Sequence, residues 1–280
     1  MRIINSNEIT ETVKNMCIKA NCHINSDIKQ ALKRSAETEK SDISKGILKN
    51  LLKNADIADR KEVPICQDTG MAVFFIEIGK EVFVEGRSIT DAVNKGVAEG
   101  YTEGYLRKSV VADPIKRVNT GDNTPAVIHY DFTEGDKIKI TFAPKGFGSE
   151  NKSALKMLNP SDGIDGVIDF VIDTVRKAGA NPCPPMVIGV GIGGTMDKAA
   201  QISKKALTRD ITCPNSNPFY ANLEKTLLEK INKLGIGPQG MGGTTTALAV
   251  NVETYPTHIA GLPVAVNVNC HATRHAVEII

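Results

Sequence analysis

The sequence predicts an α+β protein, a helical N-terminal lobe packed with a mixed β-sheet. Two observations carry that prediction. Residues 1–61 place apolar residues at helical spacing, and from residue 62 onward short runs rich in Val, Ile and Phe are interspersed with further helical patterns. No repeat or low-complexity linker interrupts the 280 residues. A single domain over 1–280 is therefore expected, with the helical lobe at 1–61 and mixed sheet and helices over 62–280.

The elements follow in order. Asn7 is placed to cap a first helix running to about Cys22, Ser26 a second, and Ser41 or Asp42 a third. In the third, Ile43, Ile47, Leu48, Leu51 and Leu52 form an apolar face. Pro and Gly break the pattern in EVPICQDTG, residues 62–70. MAVFFIEIG and EVFVEG then predict strands joined around Gly79-Lys80, and Ser88 opens a helix to about Tyr105. PAVIHYDF and DKIKITFAP predict two strands flanking a hairpin turn at Thr133-Glu134-Gly135-Asp136. After the polar segment KGFGSENKS, a helix over 161–179 sets Ile164, Val167, Ile168, Val171, Ile172 and Val175 on one side. MVIGVGI predicts a strand running into a glycine turn, with helices following at 196–207 and 217–234. TTTALAVNVE and LPVAVNV close the chain as strands.

Composition narrows the classes of function. Aromatics are 5% and Trp is absent, so the core is mainly aliphatic. A net charge of +2, with no dense Lys/Arg run, gives no electrostatic case for nucleic acid. The N-terminus lacks the apolar segment of a signal peptide, and no stretch approaches the roughly 20 apolar residues of a membrane helix. A cytoplasmic protein without membrane contact is expected. In that reducing compartment the six cysteines are buried, metal-binding or catalytic rather than disulfide-bonded.

Three cysteines stand apart. Cys66 lies in PICQDTG, Cys183 in NPCPP and Cys270 in NVNCHATRH, all irregular or strand-end segments. Such segments leave backbone N–H groups free to hydrogen-bond cluster sulfur. Cys17 and Cys22 fall on the first helix and Cys213 precedes Pro214, positions that suit structural thiols. The wide separation of Cys66, Cys183 and Cys270 matches no zinc ribbon or local ferredoxin run. Spacing alone leaves a metal site and three unrelated buried cysteines equally open.

Gly189-Val190-Gly191-Ile192-Gly193-Gly194 satisfies G-x-G-x-x-G between a predicted strand and a helix, so dinucleotide binding is an alternative. Against it, no second apolar strand ending in an acidic residue follows, and no βαβ units surround the motif. A structural turn, or a helix N-terminus holding a substrate carboxylate, is more economical. A second Gly-rich loop, GMGGTTT at 240–246, is expected to shape the same pocket as the site.

The chain resembles the α-subunit of the two-subunit class I fumarate hydratase and L(+)-tartrate dehydratase family over nearly its whole length. The resemblance rests on PICQDTG at 64–70, LRKSVVADP at 106–114, NTGDNTPAVIH at 119–129, KGFGSENKSALKMLNPSD at 145–162, CPPMVIGVGIGGT at 183–195 and HIAGLPVAVNVNCHATRHA at 258–276. It implies a [4Fe-4S] cluster on Cys66, Cys183 and Cys270, with the fourth iron open to substrate and sensitive to oxygen. It also implies that Gln67 and Asp68 reach the iron-bound end of the substrate, with Asp68 a candidate for acid–base work. Arg107 would clamp a substrate carboxylate. Gly148, in KGFGSEN, would offer a backbone N–H, although the family often has glycine where this chain has Phe147. His258 matches a family active-site histidine, and His271 and His275 would act at most from behind the ligands.

Single-chain relatives carry a C-terminal domain that adds arginines, a threonine and a lysine to the site. This chain ends at Ile280, so those groups are expected from a β subunit, in a dimer of αβ pairs. The expected reaction is reversible hydration of the small dicarboxylate fumarate to L-malate. L(+)-tartrate dehydration is the alternative substrate, and an iron–sulfur electron carrier or sensor the alternative class.

Overall fold

A short strand precedes the first helix. In the computed structural model, which describes all 280 residues, β1 (Arg2–Asn5) runs directly into α1 (Ser6–Cys22). Because β1 ends at Asn5, it is Asn5 and not Asn7 that caps the helix, its side chain accepting the Asn7 N–H at 2.9 Å. What fixes that boundary is non-local: β1 pairs in parallel with β3 (Val82–Glu85).

Residues Met1–Ile24, Ile57–Phe147 and Arg274–Ile280 form one compact unit, and Asn25–Asp56 with Gly148–Thr273 form a second. The elements are mixed helix and sheet throughout, the α+β class that the sequence predicts. No helix is long and apolar enough to cross a membrane.

In the first unit a four-stranded sheet has the order β10-β5-β2-β4. Its strands are β2 (Met71–Gly79), β4 (Val127–Thr133), β5 (Ile138–Lys145) and β10 (Ala276–Ile279). Helix α1 packs on α4 (Ile89–Glu103) and on β5 and β10. Ile9, Val13, Met16, Cys17 and Ala20 of α1 are buried, with the i, i+4, i+7 spacing of one helical face. They meet Phe74, Ile76, Ile140 and Phe142 in an aliphatic core with few aromatics. Ser88 caps α4 through the Asp91 N–H, as its sequence position predicts.

The expected hairpin at Thr133–Asp136 is not formed. β4 and β5 do not pair, because β2 lies between them, parallel to β4 and antiparallel to β5. The turn instead crosses the end of β2, where Gly79 and Lys80 donate to the carbonyls of Lys137 and Thr133. An ideal Cβ on Gly79 would stand 2.3 Å from the Gly135 carbonyl oxygen, so the crossing requires glycine.

The second unit holds a mixed sheet of order β6-β9-β7-β8, with β7 and β8 parallel and the other pairs antiparallel. The strands are β6 (Ala154–Leu158), β7 (Met186–Gly193), β8 (Ala247–Tyr255) and β9 (Leu262–Asn269). Helices α6 (Gly163–Ala178) and α8 (Pro218–Asn232) bury Val167, Val171, Val175, Leu223, Leu227 and Ile231 with the strands' apolar side chains. Helix α7 (Met196–Ala206) lies along β7 and β9. The remaining helices are α2 (Ser26–Thr38), α3 (Asp42–Lys61) and the single turn α5 (Phe147–Glu150) inside the segment predicted only as polar.

The G-x-G-x-x-G stretch has a packing role in this unit. Ideal Cβ atoms on Gly189 and Gly191 would lie 2.1 and 2.2 Å from the carbonyl oxygens of Ser203 and Ala199. These glycines let the backbone of α7 rest on β7, the close helix–strand contact that any Cβ would prevent.

Candidate functional site

Strand order decides which loops meet. In the first unit β2 starts beside the end of β5, since the two are antiparallel with Met71 opposite Lys145. Parallel pairing also brings the start of β4 to that end, with Val73 opposite Val127. The turn Cys66–Gly70, which leads into β2, therefore lies among the segments that leave β5 and enter β4.

Asp68 is half-buried there and its carboxylate is fixed by two backbone donors. Gly70 N–H donates to Oδ1 at 3.0 Å and Phe147 N–H to Oδ2 at 2.9 Å. Gln67 is exposed, and its Oε1 accepts from the Cys66 thiol at 3.3 Å. Arg107 is exposed and its guanidinium makes no ion pair, so the surface salt bridge that would explain it otherwise is not formed. Its carbonyl accepts from Thr69 Oγ1 at 2.8 Å, which ties the Arg107 loop to the turn.

Sequence reasoning missed the side chains that hold this turn from below. The Tyr101 hydroxyl, fully buried and with its pKa pushed up by burial, contacts the carbonyls of Thr69 and Gly70 at 2.7 and 3.1 Å. Asn123 Nδ2 donates to the Gly70 carbonyl at 3.2 Å, while its Oδ1 accepts from Ser109 N–H at 2.7 Å. Arg274 Nη2 donates to the Asp68 carbonyl at 2.9 Å. These residues are polar and buried, which is itself a signal for Arg, but only once burial is known.

The second unit uses the same device. β7 and β9 are antiparallel, with Val187 opposite Asn269, so the entrance to β7 and the exit from β9 adjoin. Cys183 precedes the first and Cys270 follows the second. The two loops are joined by His271, whose N–H donates to the Cys183 carbonyl at 3.2 Å and whose Nδ1 lies 3.0 Å from the same oxygen. Gln239 adds a brace, its backbone N–H and its Nε2 both donating to the Pro184 carbonyl, at 2.8 and 2.9 Å. Cys183 and Gln239 adopt left-handed backbone, φ 54° and 53°. Gly148 is exposed at the same end, and an ideal Cβ on it would meet only the Asn181 carbonyl, at 3.9 Å.

His258 is not brought to this end. It lies in the exposed connection from β8 to β9, and β9 spans eight residues, roughly 25 Å at strand rise, before Cys270 is reached. Its Nδ1 accepts the Ala260 N–H at 3.1 Å, and it borders a mostly apolar cavity of about 400 Å³ lined by Ile164, Phe219 and Leu262. The motif around His258 reads as a local block, but the strand carries its two ends apart.

The second Gly-rich loop turns out to hold an internal anion. Thr244 N–H lies 2.9 and 3.0 Å from the two Glu39 carboxylate oxygens, and Thr245 N–H donates at 3.0 Å. Burial pushes the Glu39 carboxyl up, but the N–H groups of Thr244, Ser41 and Lys40 outweigh it and lower its pKa to about 2. This is a backbone nest filled by the chain's own carboxylate.

Thiol chemistry separates the cysteines. Cys17 and Cys22 are buried, and burial raises both thiol pKa values, as for inert core cysteines. Cys66, Cys183 and Cys270 form no disulfide and are at least partly exposed, on loops at strand ends. No group of three or more His, Cys, Asp or Glu side chains is arranged to hold a metal ion. That arrangement is a requirement of a mononuclear site; a cubane cluster takes each thiolate on a different iron, so its ligands need not converge on one point. Thiols that are at least partly exposed, on loops at strand ends, suit the donor chemistry of such a cluster.

Comparison with known proteins decides the family. The family model described as fumarate hydratase (Fumerase) matches residues 10–278. The chain belongs to the fumarate hydratase (Fumerase) family. It is 44% identical over 277 residues to the putative L(+)-tartrate dehydratase subunit alpha of Methanocaldococcus jannaschii, covering 97% of each chain. It is 34% identical to the L(+)-tartrate dehydratase subunit alpha of Escherichia coli strain UTI89, over 96% of this chain and 89% of that one. The K12 strain's protein of the same name is 32% identical over 98% and 91%. The fumarate hydratase family is a family of hydro-lyases, and these relatives are named as subunits of larger enzymes.

Proposed function

We propose that this chain is the α subunit of an iron–sulfur hydro-lyase that adds water to fumarate to give L-malate, and reverses it. The observation that supports this most is the family match across 10–278, which spans all three cysteine loops. Cys66, Cys183 and Cys270 are the proposed ligands of a [4Fe-4S] cluster. When bound, that cluster supplies a Lewis acid for the oxygen being added or removed.

The chain's own groups would do the rest. Arg107, free of any acidic partner, offers a bidentate guanidinium to one substrate carboxylate. Gly148 offers an exposed backbone N–H, and Gln67 a side-chain amide. Asp68 has each oxygen committed to one backbone N–H, and each keeps a lone pair to accept the proton of the transferred hydroxyl. Because those donors fix the carboxylate before substrate arrives, little reorganisation is needed during the reaction. His258 lies at the far end of β9 from Cys270, so it is assigned no step beside that thiol.

A second reading, dehydration of L(+)-tartrate, is favoured by the names of the relatives. Fumarate and tartrate share the dicarboxylate frame, and Arg107, Gly148 and Asp68 address that frame. The relatives' designation as α subunits supports a β subunit that completes the site; an assembly of αβ pairs in the cytoplasm is part of the same proposal. The deciding experiment is an anaerobic assay of the αβ complex on malate, fumarate and L-tartrate. Turnover of malate and fumarate is expected, turnover of tartrate alone would replace the first reading with the second, and turnover of none would sink both. The α chain alone is expected to be inactive, and full turnover by it would remove the β subunit from the proposal.

A further inference from the structure

The turn that carries Cys66 and Asp68 is held at both ends by one buried pair, Asn21 and Arg274. Asn21 is fully buried in the last turn of α1, and its backbone carbonyl accepts the Ile65 N–H at 3.0 Å. Its side-chain Nδ2 donates to the Cys17 carbonyl at 2.9 Å, which fixes the amide with Oδ1 outward. That Oδ1 accepts from Arg274, at 3.3 Å from Nε and 3.0 Å from Nη2. Arg274 Nη2 then reaches the Asp68 carbonyl at 2.9 Å. Ile65 and Asp68 bracket Cys66, so the pair grips the backbone on each side of it.

Burying an arginine to 5% exposure is an expensive way to brace a turn unless the geometry of its guanidinium matters. Lys could supply the charge there, but not two donors in a fixed plane. Arg274 belongs to the segment that follows Cys270, and the sequence reading gave it no role. We propose that Arg274 is a positioning residue, which with Asn21 orders the Cys66–Asp68 turn in the metal-free chain and thereby aims the Asp68 carboxylate. The ordering half stands on geometry alone, while the catalytic consequence rests on the hydro-lyase reading.

Amide hydrogen exchange on the full-length metal-free chain, reduced and anaerobic, tests the ordering. Residues 64–70 are compared with β7, residues 186–193, in wild type, Arg274→Lys and Asn21→Ser. Both variants should speed exchange in 64–70 by about tenfold or more, the loss of a charge-assisted hydrogen bond, and leave 186–193 unchanged. No acceleration, or equal acceleration in both segments, overturns the proposal. In the cluster-loaded αβ complex, Arg274→Lys should lower kcat by about tenfold with KM within about twofold, because the substrate contacts remain. Local exchange with unchanged kcat would overturn the positioning role. A wild type that takes up no iron and turns over no dicarboxylate would defeat the functional reading instead, with the exchange result unaffected.

Discussion

The Cys66 turn and the paired Cys183 and Cys270 loops reach the same end, an accessible thiol on a fixed backbone, by different means. The first is held by inserted side chains, with Tyr101, Asn123 and Arg274 gripping the carbonyls of Thr69, Gly70 and Asp68. The second is held chiefly by the sheet itself, with β7 and β9 bringing the loops together and His271 and Gln239 fastening them. A turn held by buried side chains fails when one of them is cut, because a buried carbonyl is left without its donor. Loops held by strand pairing lose less from any one side chain, since the ladder remains.

The largest effects should ignore this difference. Cys66→Ser, Cys183→Ser and Cys270→Ser should each lower hydro-lyase activity of the reconstituted αβ complex by roughly a thousandfold or more, more than the ten- to hundredfold typical of groups behind a ligand. Cys213→Ser, in an exposed loop, should change neither iron content nor rate. Equal iron content in all four variants would remove the three thiols from the cluster. Asp68→Asn comes next. The αβ complex should keep its iron while kcat falls by about 10²- to 10⁴-fold, the usual range for a general acid or base. A rate near wild type would move that role off this residue.

Glu39 tests the second region from outside. Its pKa, lowered to about 2, lies below the ordinary 4.5, so the ionised group stabilises the fold fully above about pH 4.5. That contribution fades as pH falls from about 4.5 to about 2. Glu39→Gln should cost roughly 2 kcal/mol at pH 7, read from denaturant unfolding, and the difference from wild type should shrink through that acidic window. A gap that stays constant down to pH 2 would mean the nest does not depend on the charge.

The N-terminal helices and most strand runs were legible because each carries its own periodicity or caps, as Ser88 and the α1 apolar face show. Pairing was not. Thr133-Glu134-Gly135-Asp136 has turn chemistry, but nothing within it says that β2 will occupy the space between β4 and β5. β1, β6 and β10 are four or five residues long, too short to show alternation, and they form by docking on partners. The candidate site divides in the same way. PICQDTG and NVNCHATRH could be picked out as local motifs. Asn21 and Arg274 could not, since 253 positions separate them and their meaning arises only on contact. The Gly-rich loop at 240–246 advertised an anion site without revealing that Glu39 already fills it.

The finest test sets one brace from each region side by side. Tyr101→Phe removes the hydroxyl that serves Thr69 and Gly70 while keeping the ring in the core. The ring is fully buried, so water cannot readily replace the lost donor, and about 1–3 kcal/mol should be lost. Gln239→Ala removes one donor to a carbonyl that retains another, because the Gln239 backbone N–H also reaches Pro184 at 2.8 Å. Its cost should stay near 1 kcal/mol or below, although a non-glycine residue remains at φ 53°. Thermal melts of the two variants should therefore order Tyr101→Phe below Gln239→Ala. Exchange at 64–70 should rise only in the first. The reverse order would mean that the sheet-borne loops, and not the side-chain-gripped turn, depend on a single brace.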